Sequence, residues 1–78
     1  MKIWLKRDKI DHYIHHNRLS QSKFADKAGI NLETFRMQYY HKGQASLKIV
    51  LLLAMLMECD IEELLDVDWG ADHESKET

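Results

Sequence analysis

Residues 19–35 read LSQSKFADKAGINLETF. Two short amphipathic pieces meet at Ala28-Gly29-Ile30. Ser20 is the natural N-cap of the first piece, because a short side-chain oxygen at that position accepts from a backbone N–H in the first turn. Lys23 stands where the Glu of a capping box would add a second bond. Phe24, Ala25 and Ala28 form the apolar stripe of this helix. Gly29 ends it, since glycine takes the left-handed conformation of a helix C-terminus without a Cβ penalty. Asn31 then caps the next helix, in which Phe35 and Tyr39 share one face. A helix, a glycine turn and a second helix at a steep angle make a helix-turn-helix unit. Small Ala25 allows close approach of the two helices, Ile30 packs beneath the turn, and Phe35 anchors the second helix to the core.

Outward from this unit, the 78 residues predict one small domain. With no proline and three glycines, the chain favours helices joined by short turns. MKIWLKR, residues 1–7, alternates loosely and predicts a short strand or an extended arm. Asp8 is the expected cap of a first helix over residues 9–17, with Ile10, Tyr13 and Ile14 at helical spacing. KGQA, residues 42–45, is a turn, and a fourth helix follows over residues 47–57. Asp60 is expected to cap a last short helix over residues 61–66. The fold class is therefore all-α, a compact five-helix bundle, with a domain over residues 1–68 and a mobile acidic tail over residues 69–78.

Charge is segregated along the chain. Residues 1–48 hold ten Lys/Arg against four Asp/Glu, and residues 49–78 hold one Lys against nine acids, for a net charge of −2. A basic front and an acidic back suit an anionic partner at the front. The single cysteine, Cys59, predicts a reducing, cytoplasmic setting. No charged segment followed by an apolar one opens the chain, so secretion is not expected. The longest apolar run, residues 49–57, is too short to span a bilayer.

The sequence resembles the Cro/C1-type (XRE-like) helix-turn-helix regulators of phage and bacteria over about residues 9–66. Leu19-Ser20-Gln21, Ala25, Gly29, Ile30 and Phe35 are similar to the family's helix-turn-helix positions. Ser46-Leu47, Leu53-Ala54, Cys59, Ile61 and Glu63-Leu64-Leu65 sit at the spacing of its later helices. The resemblance implies a lambda repressor-like domain that binds a double-stranded DNA operator as a homodimer, with no cofactor and no enzymatic activity. It implies that Asn31, Leu32, Glu33, Arg36 and Met37 read base edges. It makes Gln21 a phosphate contact that also braces the reading helix, and places Lys42 in a loop that touches the backbone. The chain departs from the family at Tyr40-His41, where Asn-Gly is common, at Gln38, where an apolar residue is common, and at Glu58, where a turn glycine is common.

Helical geometry arrives at much the same face. With Phe35 inward and 100° per residue, Glu33, Met37 and Tyr40 point outward and Arg36 lies beside them, while Leu32 falls toward the buried flank. Arg36 is suited to guanine, Glu33 to the cytosine amino group and Met37 to a thymine methyl. Helix 47–57 is apolar all round. Leu47, Val50, Leu51, Ala54 and Met57 suffice for its core stripe, which leaves Ile49, Leu52, Leu53 and Leu56 as the expected dimer interface.

Other features read more plainly. His12 and His16 lie one turn apart, but no third ligand sits at a telling spacing, so no metal is expected. Cys59 is read as core. No catalytic triad, P-loop or metalloprotease motif is present. The rival to DNA binding is a protein-interaction module on the same fold, an antirepressor or antitoxin-like partner, which the acid at Glu33 and a pI of about 6.2 favour.

Overall fold

Phe24 and Phe35 meet at the centre of the molecule with ring centroids 5.4 Å apart, and Tyr13 and Tyr39 extend the cluster on either side. The computed structural model describes residues 1–69. Around the aromatic cluster, in chain order, lie strand β1 (Lys2–Leu5), helices α1 (Arg7–His16), α2 (Gln21–Ala28), α3 (Leu32–Tyr39) and α4 (Leu47–Met57), a 3-10 turn (Ile61–Glu63) and strand β2 (Leu65–Asp68). Leu5, Ile10, Phe24, Phe35, Leu53 and Leu64 are fully buried, one or more from nearly every element. Burying a side chain of this size contributes about 1.5–3 kcal/mol, more than any difference in local propensity.

The described residues do not form a five-helix all-α bundle: among them are four helices and a two-stranded antiparallel sheet. The helix expected over residues 61–66 is one 3-10 turn that runs straight into β2, which pairs with β1 in the register Lys2–Asp68, Ile3–Val67, Trp4–Asp66 and Leu5–Leu65. Ile61, Leu64 and Leu65 have helical spacing, but six residues are too few for a stable helix. The backbone of β1 also needs a partner, and the Lys6 N–H donates to the Leu64 carbonyl at 2.7 Å. That bond draws Lys6 into an extended cap position, so α1 starts at Arg7 and Asp8 lies inside its first turn rather than at its cap. The acidic tail expected over residues 69–78 lies, Trp69 apart, outside the described residues.

The other edge of β1 is covered by the loop between α3 and α4. The Ile3 N–H donates to Gln44 Oε1 at 3.1 Å, the Ala45 N–H donates to the Ile3 carbonyl at 2.9 Å, and His41 Nε2 lies 2.9 Å from the Leu5 carbonyl. Trp4 stacks on His41 at 5.1 Å. Gln38 is buried where an apolar residue was expected from the family pattern, and it is satisfied: its Nε2 donates to Ser46 Oγ at 3.2 Å and its Oε1 accepts from the Ser46 N–H at 3.1 Å. This reciprocal pair ties the end of α3 to the start of α4.

The caps at Ser20 and Asn31 form as the sequence predicts, and Ser46 caps α4; each accepts backbone N–H groups of the following turn. At their other ends all four helices close the same way. A left-handed residue follows the helix, and the N–H beyond it reaches back to a carbonyl five residues earlier: Leu19 to Ile14, Ile30 to Ala25, Lys42 to Met37, Cys59 to Ala54. Of the four left-handed residues only Gly29 is a glycine; the others are Arg18 (φ 54°), His41 (φ 59°) and Glu58 (φ 53°). A residue with a Cβ costs roughly 1 kcal/mol there. Glu58→Gly is expected to stabilise the domain by about 0.5–1 kcal/mol and raise its Tm by about 2–8 °C. Thermal unfolding followed by circular dichroism checks this; an unchanged or lower Tm would show that the Glu58 side chain supports the turn.

Candidate nucleic-acid interface

Inward packing of Phe35 sets the roll of α3, and everything on its outer side follows. Glu33, Arg36, Met37 and Tyr40 are exposed. With Lys42 from the following loop they line one shallow depression. Leu32 is half-buried against the core, so it offers only part of its side chain. Asn31 is exposed, but its Oδ1 accepts from the N–H groups of Glu33 and Thr34 at 2.9 and 3.1 Å. Its carbonyl is spent on the cap, which leaves the amide nitrogen to face outward contacts.

Gln21, in the first turn of α2, reaches across to this face. Its Oε1 accepts from Arg36 Nε at 3.3 Å, and its Nε2 donates to Tyr40 Oη at 3.3 Å. One amide therefore orients two exposed side chains. The contact uses Arg36 Nε and leaves both terminal nitrogens of the guanidinium, the part of the fork that matches a two-acceptor edge. Behind the face, Tyr39 donates its hydroxyl to Asp11 Oδ1 and meets Tyr40 edge-on at 4.8 Å. Burial, with the Asp11 carboxylate second, pushes the Tyr39 phenol up to about 12, so it stays a donor across the physiological range. Gln21, Arg36, Tyr40, Tyr39 and Asp11 thus link α3 to α2 and α1.

The apolar face of α4 lies elsewhere than the sequence predicts. Of the expected interface residues, Ile49 and Leu53 are 5 % and 0 % exposed in the single chain and belong to its core, while Leu52 and Leu56 are half-buried against it. The exposed residues are instead Leu47 (69 %), Leu51 (41 %) and Met55 (75 %), two of which were expected in the core. A helix apolar on every side has no polar face to fix its phase, so periodicity cannot choose between stripes.

Cys59 is half-buried beside the core, and burial pushes its thiol up, away from the reactive thiolate. Among the described residues no three His, Cys, Asp or Glu side chains converge to hold a metal ion. Among the same residues no helix is long and apolar enough to cross a membrane.

Set beside known proteins, the chain matches no protein-family model, and no curated protein is significantly similar to it.

Proposed function

We propose that this protein is a sequence-specific DNA-binding regulator that places α3 in a major groove. The observation that carries the reading is the braced outer face of α3. Arg36 and Tyr40 are held by Gln21, Met37 and Glu33 stand beside them, and Lys42 borders the same depression. A cation with a free fork, a carboxylate and a thioether on one short exposed helix can discriminate guanine, cytosine and thymine. The basic balance of residues 1–48, which include this helix-turn-helix, supports an anionic partner. The resemblance to Cro/C1-type regulators points the same way.

The regulator acts as a homodimer through Leu47, Leu51 and Met55. Lys48 lies near the start of this stripe and Glu58 at its end. A second copy packed antiparallel across a two-fold axis brings each lysine toward the partner's acidic end, so the surface is self-complementary. Leu51→Glu with Met55→Glu is expected to give a folded monomer, because both side chains are solvent-facing in the single chain. Light scattering and circular dichroism on one sample check this; a variant that remains dimeric would move the interface elsewhere.

Selection from randomised duplexes at one fixed salt concentration tests the function itself. Arg36→Ala is expected to relax preference at one base pair, costing about 1–3 kcal/mol of discrimination. Lys42→Ala is expected to weaken all duplexes alike and to flatten the salt dependence by about one ion. If the wild type enriches no sequence, the DNA-reader proposal fails.

Glu33 favours a second reading, an interaction module that docks α3 on a protein carrying Arg or Lys, since a carboxylate on this face is repelled by phosphates. Glu33→Gln separates the two. In a groove it changes preference at one base pair and raises general affinity slightly. On a protein partner it weakens that partner and leaves DNA behaviour flat.

A further inference from the structure

The α3 face has a neighbour that the proposed base reading leaves unused. Where α1 turns into α2, a concavity is lined by Asp11, His12, Ile14, His15, Arg18, Leu19 and Gln21. Gln21 is common to both surfaces: it lines this concavity and also holds Arg36 and Tyr40. The concavity therefore lies directly beside the outer face of α3. Three of its side chains are cations or become cations on protonation.

Arg18 supplies the second observation. It occupies the left-handed position that closes α1 (φ 54°), with its N–H on the His15 carbonyl at 3.2 Å. Glycine is favoured at such a position, so an arginine there carries a conformational cost. The same turn that imposes this cost brings Arg18 to the lining of the concavity, with His12 and His15.

We propose that His12, His15 and Arg18 form a phosphate site whose strength is set by pH and which holds a backbone phosphate of the duplex that α3 reads. The phosphate part stands on this geometry, and its assignment to duplex DNA rests on the proposed function. Histidine is the side chain that ordinarily changes charge between pH 5 and 8. The opposing charges are Asp11, whose carboxylate accepts from Tyr39 on α3, and Asp8, one turn before His12 on α1. His16 also faces the site, stacked on His12 with ring centroids 6.0 Å apart. From α2 the site meets Gln21, which is neutral, and through it Arg36.

The experiment measures duplex affinity against salt at pH 5.5 and pH 8.0 for the wild type, His12→Gln/His15→Gln and Arg18→Gly. The expected wild-type result is severalfold tighter binding at pH 5.5, with a salt slope steeper by about one to two ions. His12→Gln/His15→Gln is expected to abolish the pH difference and to match wild type at pH 8.0. Arg18→Gly, which relieves the backbone and so keeps the fold, is expected to lose about one ion of slope at both pH values. A pH difference that survives the double substitution overturns the proposal while the DNA reading stands. If the wild type binds no duplex, the DNA reading falls, and titration with inorganic pyrophosphate at pH 5.5 decides the site alone. Amide and imidazole shifts confined to residues 12–21 support it, and no shifts there overturn it.

Discussion

Phe35 must be inside. α3 is only eight residues long, so a single large anchor sets its rotation, and that anchor meets Phe24 across the Gly29 turn. Once Phe35 is fixed, the 100° step of the helix leaves Glu33, Arg36, Met37 and Tyr40 no direction but outward. The Gln21 bridge to Arg36 and Tyr40 depends on the same rotation. Every property assigned to the outer face traces back to one aromatic contact beneath it.

What was legible in the sequence were features whose physics is local. Ser20 and Asn31 announce helix starts because the capping oxygen and the N–H it accepts lie within three residues. The direction of each side chain on α3 follows from one anchor and a fixed step. The sheet was not legible in the same way. Leu65–Asp68 is a strand because Lys2–Leu5 lies beside it, and no window of sequence holds both. The phase of α4 was hidden for a different reason: its residues are uniformly apolar, and the neighbours alone decide which of them touch the core.

Helix ends show the same division. Gly29 can be read as a stop, but Arg18, His41 and Glu58 adopt the same conformation without the residue that advertises it. One of these three has its side chain in use. His41 braces the Leu5 carbonyl and stacks on Trp4, while Arg18 lines the concavity beside α3. A side chain that does something can hold a position that conformational preference alone would assign to glycine.

The double coverage of β1 has a consequence for the order of assembly. Its strand partners are 60–66 residues away, and the partners on its other edge sit in the loop that follows α3. Closing so long a loop is entropically late, whereas the helical turns form from near neighbours. The strand is thus a clasp made of long-range contacts, where the helical turns are made of local ones. Lys42 rides on the segment that the clasp pins, between His41 and Gln44. The segment that borders the α3 face is thereby bonded to a strand whose other edge is held by residues 65–68, so the placing of Lys42 depends on a pairing far away in the sequence.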